Sequence, residues 1–161
     1  MTEKDVFLAT HLRECQTTQR LIAAFPADHA DFKPHERSRS AAELAFALGN
    51  HELFFCEAAT GSMNLSFFGN PAPAAIAEAL QTLEKNAILV DATVRNIPDA
   101  DLNSIIHFAG RDMRRFDVMW ANLYDLIHHR GQFSVYVRMA GGKVPSIYGP
   151  SADDPGRAAA A

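Results

Sequence analysis

The chain has 161 residues, 48% hydrophobic and 21% charged, a balance too apolar for a disordered segment and ordinary for a globular protein with one core. Its net charge of −4, with no basic cluster beyond Arg111, Arg114 and Arg115, leaves no electrostatic footprint for nucleic acid or an anionic membrane surface. The N-terminus MTEKDVFLAT is charged and no uncharged apolar run approaches the ~20 residues that span a bilayer, so one cytoplasmic domain over residues 1–161 is expected.

The first helical segment, about Thr2 to Phe25, places Leu8, Leu12, Cys15, Leu21, Ile22 and Phe25 at helical spacings, and Pro26 stops it. His11 lies on its inner stripe and is a weak candidate for a site, better read as a bundle-end residue. Cys15 and Cys56 form no C-x-x-C pair, so free buried thiols are expected. After the turn-rich PADHADFKPHERSR, Ser40-Ala-Ala-Glu43 has the form of a capping box and predicts a helix start at Ser40. Leu44, Ala47, Leu48, Phe54, Phe55 and Ala58 follow one face with His51 among them, and Gly61 closes the segment.

The third segment, about Pro73 to Asn96, repeats Ile76, Leu80, Leu83, Ala87, Val90 and Val94 and is the cleanest amphipathic helix of the chain. In the following connection, Ile105 to Phe108 is an apolar patch that fits a strand or a short helix. The fourth segment, about Asp112 to Met139, is apolar around most of its circumference, which places it centrally or at a contact with a second subunit. The tail from Lys143 is rich in glycine and proline and cannot extend that helix. Val144, Ile147 and Tyr148 are its candidate anchors, and the closing alanines are expected to fray. Four long helices with little strand signal predict an all-α fold, an antiparallel four-helix bundle.

Asp125 and His129, four apart on the fourth segment, project from one face on consecutive turns. Either they hydrogen-bond each other or both reach one ion. His128 is rotated about 100° away and cannot share that place. His51, on another helix, is either a hydrogen-bonded core histidine or the third ligand of a 2-His-1-carboxylate set, which would lower the pKa of a bound water or thiol. There is no phosphate-cradling glycine loop, G-x-S-x-G or H-E-x-x-H.

FKPHERSRSAAELAF (Phe32 to Phe46) and HHRGQFSVYVRMAGGKVPSIYGPSADD (His128 to Asp154), with the helix order between them, resemble the DinB/YfiT-like superfamily of bacterial four-helix-bundle proteins. The resemblance implies a frequent homodimer and three metal-binding histidines, one in the second helix and an H-x-x-x-H pair ending before Arg-Gly-Gln. Carried over, the last ligand is His129, the first of the pair falls on Asp125, and the second-helix ligand falls on Ala47, which binds nothing. His51 lies one turn later. A four-residue shift moves a ligand about 6 Å along the axis, so the site has either moved to His51, Asp125 and His129 or decayed.

Zinc or nickel suits these ligands, with iron(II) a further option. The resemblance also implies a metal-dependent hydrolase or thiol S-transferase that uses a low-molecular-weight thiol or other small-molecule substrate. The competing expectation is a non-catalytic dimeric bundle, a small-molecule binder or stress-associated protein with a degenerate site.

Overall fold

The computed structural model describes residues 1–154. It is mostly helical. Helix α1 spans Glu3–Ala23 and begins in a capping box between Thr2 and Asp5. Helix α2 spans Ala41–Thr60; the Glu43 amide donates to Ser40 Oγ at 3.2 Å and the Ser40 amide to Glu43 Oε2 at 2.6 Å, as the sequence motif predicts. Gly61 ends α2 at φ 78°, a left-handed cap that a side chain disfavours, and the Arg115 guanidinium packs where a Cβ would sit. Helix α3 spans Ile76–Asn96 and starts three residues later than the sequence spacing suggests. A one-turn helix α4 (Asp99–Leu102) follows.

Two expectations need correction here. The fold is not purely α, because β1 (Ile105–Phe108) and β2 (Arg111–Arg114) form an antiparallel hairpin with Phe108 opposite Arg111. Its two-residue loop places Ala109 at φ 52° and Gly110 at φ 78°, the paired left-handed conformation that suits the strand twist. Consequently the last helix, α5, begins at Arg115 rather than Asp112 and runs to Met139. Asp112, Met113 and Arg114 are committed to pairing with β1 instead.

Helices α1 and α2 each pack against both α3 and α5. Their shared core includes Phe7, Leu21, Ile22, Phe55, Leu83, Phe116 and Phe133, all sealed from solvent. Helix α1 departs from its apolar pattern: Leu12 is 58% exposed, while His11, Glu14, Thr17 and Thr18 are buried. The inner face of α1 is thus polar in part, and those groups need partners. Thr17 and Thr18 donate to the carbonyls of Arg13 and Glu14.

Glu14 meets Arg130 of α5, with Arg130 Nη2 at 2.7 Å from Glu14 Oε2 and Nη1 donating to the Glu14 carbonyl at 3.1 Å. The Tyr148 hydroxyl donates to Glu14 Oε2 at 2.6 Å and accepts from Arg130, so the tail is pinned over α1 and α5 as expected for Tyr148. Val144 is buried beneath it and Ile147 packs on the core. The closing alanines lie outside the described residues. Among the described residues no helix is long and apolar enough to cross a membrane.

Candidate metal centre

Helices α2 and α5 bring His51, Asp125 and His129 together. One ligand atom from each lies within 4.8 Å of the others. Asp125 Oδ2 is 3.7 Å from His51 Nε2 and 3.6 Å from His129 Nε2, and both separations exceed a hydrogen bond. The histidine–carboxylate hydrogen bond, one of the two readings open from the sequence, is therefore absent.

The reason lies in the other ring nitrogens. Asn122, one turn before Asp125 and buried, donates from Nδ2 to the His51 carbonyl at 2.9 Å, which turns its Oδ1 toward His51 Nδ1 at 2.6 Å. An amide oxygen only accepts, so the proton sits on Nδ1 and the Nε2 lone pair is free. Burial holds His51 below the ordinary imidazole range, with the Asn122 bond and the Asp125 charge partly opposing it. Gln132 does the same for His129: its Oε1 lies 2.9 Å from His129 Nδ1 and its Nε2 donates to His128 Nε2 at 3.0 Å. His128 is exposed and takes no part in the cluster.

Two imidazole lone pairs and a carboxylate oxygen thus face one another with no donor among them. Three acceptors around one point are repulsive unless something positive sits between them. Ligand atoms about 2.1 Å from a shared zinc lie roughly 3.4 Å apart, close to the 3.6 and 3.7 Å found. With both tautomers set by outer contacts, as is usual for metal-ligating histidine, the residues fit a divalent cation.

Burial is graded across the cluster. The side chain of His51 is 6% exposed, that of His129 24% and that of Asp125 57%, so access is from the Asp125 side. Ala47, at the position the family resemblance assigns to a ligand, is half-buried and lines a separate cavity with Asn50 and Phe68. Two cavities flank the cluster. One, of about 340 Å³, is lined by His51, Asp125, Asn122, Phe54, Phe68 and Phe108 among others; the other, of about 450 Å³, by His129, Gln132, Ser38, Arg39 and Tyr136 among others.

His11 lies apart from this cluster. Its Nε2 is 2.6 Å from Glu52 Oε2 in a buried pair, and the ring stacks on Phe7 and meets Phe55 edge-on. Glu52 is the residue after His51, so the helical turn of about 100° sends the two side chains into different parts of the core. The sequence reading missed this pair, as it missed Asn122 and Gln132; the only signal available was a polar residue beside a core-facing histidine. Cys15 is one turn from His11, but burial first and the Glu52 charge second push its thiol far up, and burial raises Cys56 as well. Neither is an activated nucleophile.

Comparison with known proteins gives a consistent picture. The sequence pattern of the DinB superfamily matches residues 11–133. An uncharacterised protein, YrdA of Bacillus subtilis, is 38% identical over 56 residues, covering 35% of this chain and 34% of YrdA, so the match spans about a third of that relative's length. The crystal structure of a DinB-like protein, YjoA of B. subtilis, superimposes with a TM-score of 0.70 at 25% identity, covering 90% of this chain and 99% of YjoA. A DinB-like protein from Bacillus cereus superimposes with a TM-score of 0.75 at 23% identity, covering 88% of this chain and 95% of its own, which speaks for the fold alone.

Proposed function

Because the chain belongs to the DinB superfamily, we propose that it is a single-domain, antiparallel bundle enzyme of the metal-dependent hydrolase or thiol S-transferase type, with His51, Asp125 and His129 as its metal ligands. The observation that carries this reading is the meeting of three acceptors with no donor, both imidazoles turned by Asn122 and Gln132 so that Nε2 faces Asp125. Zinc or nickel suits two imidazoles and a carboxylate, and iron(II) is the weaker fit. Such a cation supplies a nucleophile at neutral pH by lowering the pKa of a water or thiol beside it.

The chain's own residues do the rest. His51 and His129 are oriented from behind by amides, and Asp125 adds a negative charge that offsets a divalent cation. The half-exposed Asp125 leaves one side open for a substrate, while His51 is held in the buried part of the cluster. A low-molecular-weight thiol is the co-substrate class that the resemblance suggests. A homodimer accompanies this reading, supported by Tyr124, Val135 and Met139, which stand exposed along α5; sedimentation at micromolar concentration showing only the 17.7 kDa monomer would count against it.

One observation favours a second reading, a non-catalytic dimeric bundle. Ala47 stands where the resemblance places a ligand. Elemental analysis of protein purified without an affinity tag separates the two readings. Stoichiometric zinc or nickel that disappears in His129→Ala supports the enzyme; metal-free protein that also fails to take up added zinc supports the binder.

A further inference from the structure

Of the two cavities beside the cluster, the one on the His51 side is apolar, and its walls come from four separate parts of the chain. Phe54 belongs to α2, Leu65 and Phe68 to the crossover between α2 and α3, Phe108 to the hairpin, and Val118 and Ala121 to α5. Phe108 meets Phe54 edge-on with ring centroids 5.4 Å apart, and Phe68 lies 6.4 Å from Phe54. The polar members of the wall are His51, Asn122 and Asp125. Asn122 commits its Oδ1 and one Nδ2–H to His51, so the side chains of the wall offer a ligand few polar contacts besides the cluster itself. Phe68 at its rim is 47% exposed, a large aromatic face left to solvent. The cavity on the His129 side has Ser38, Gln132 and the charged Arg39 in its wall beside Leu44, Val135 and Tyr136.

We infer that the Phe54–Phe68–Phe108 cavity receives an aryl or branched alkyl group carried by the molecule whose polar head meets His51, Asp125 and His129. This rests on the metal reading above and adds the substrate class: a polar, metal-ligating head joined to an apolar arm of about one ring. The size follows from volume. An apolar cavity of about 150 Å³ holds benzene, so about 340 Å³ accommodates a ring with its linker. Burying that ring beside aromatic walls is favourable, whereas a charged arm there would lose its hydration and meet no partner. The hairpin thereby gains a purpose, since it carries Phe108 into the cavity wall beside Phe54.

The test uses a matched pair of probes on the full-length protein loaded with zinc. Acetohydroxamate and phenylacetohydroxamate share a metal-chelating head and differ in the ring. Calorimetry is expected to show the phenyl compound binding roughly tenfold tighter or more. In Ala121→Leu, which fills the cavity from its exposed rim, the ratio of the two affinities is expected to fall toward one. A general loss of zinc affinity cannot imitate this, because the readout is the ratio. Independently of any metal, toluene added to the EDTA-treated protein is expected to shift the methyl resonances of Leu65 and Val118. Equal affinity for the two hydroxamates on zinc-loaded protein overturns the cavity assignment and leaves the metal centre standing. Failure to bind zinc with the toluene shifts intact overturns the metal reading and leaves the cavity standing. Loss of both removes both.

Discussion

His129 and Arg130 are neighbours in α5, yet they enter two polar clusters of opposite character. Arg130 is sealed in the core, where its guanidinium meets the Glu14 carboxylate and carbonyl and the Tyr148 hydroxyl. Every partner there alternates donor with acceptor. His129 joins His51 and Asp125, where acceptors face acceptors. Structural polar groups in a helical core are thereby separable from functional ones. A cluster that satisfies itself holds the fold, and one that is left one cation short is built for something that arrives later.

The largest consequence of that contrast concerns stability. Arg130→Ala removes the buried cation from the Glu14 carboxylate and leaves it only the Tyr148 hydroxyl and the exposed Arg13 at 3.3 Å, a loss expected to cost about 3 kcal/mol in urea denaturation. It also removes the Arg130 contacts to the Tyr148 hydroxyl and ring and leaves the tail held there by the Glu14 bond alone, so limited proteolysis should cut the tail earlier. His129→Ala, one residue away, should change the stability of the metal-free protein by less than ~1 kcal/mol. Similar losses in both variants would erase the distinction between the clusters.

Next in size is the role of Gln132. It is exposed and touches the cluster only through His129 and His128. If it sets the His129 tautomer, Gln132→Ala should weaken zinc binding by roughly 10–100-fold while leaving the unfolding midpoint nearly unmoved. Unchanged affinity by calorimetry would show that the histidine orients itself without help.

The two clusters were unequally legible in the sequence. The i, i+4 spacing of Asp125 and His129 showed that they share a face, and the periodicity of α2 put His51 on its inner side, because both inferences need only the helical repeat. The polar partners behind them were invisible: an asparagine at 122 or a glutamine at 132 carries no pattern that distinguishes a tautomer-setting amide from a solvated one. The Glu14–Arg130 pair was hidden for a related reason. Periodicity weighs apolar residues, so Leu12 was assigned inward and Glu14 ignored, whereas the tertiary pairing put Glu14 inside and left Leu12 exposed. The caps of α2 and the course of α3 were readable because they depend on neighbours in sequence. The hairpin was not, since Ala109-Gly110 lacks the asparagine that usually marks such a loop and its strands are only four residues long.

Acid should act on the two clusters separately, because each titrates in its own window. His51 is held below its ordinary value, chiefly by burial. The unfolded chain therefore takes up that proton first, so stability is complete above about pH 6.5 and declines as pH falls from there toward the folded value. For Glu14, burial pushes the carboxyl up but the hydrogen bonds from Tyr148 and Arg130 outweigh it, and the net value is lowered. Its contribution is present above the ordinary value of 4.5 and is lost as pH falls below it. Urea midpoints measured in EDTA should thus decline in two steps. His51→Asn should remove the upper step and keep the lower one; a single step near pH 4 in the parent protein would mean that His51 titrates as it does in the unfolded chain.

The smallest expected effect asks what kind of positive group the cluster is built to hold. Asp125→Asn replaces one acceptor with an N–H donor that can rotate toward the imidazole lone pairs, 3.6 and 3.7 Å away in the parent, and so converts the open cluster into one resembling that around Arg130. Since Asp125 is half-exposed, the gain in metal-free stability should be modest, about 0.5–1 kcal/mol, while zinc binding should weaken because a charge is lost. A proton shared between carboxylate and imidazole predicts the reverse, because the substitution would then break an ion pair and destabilise the metal-free protein. The sign of that small change in the unfolding midpoint therefore decides whether the gap between α2 and α5 was shaped around a cation or is already filled by a proton.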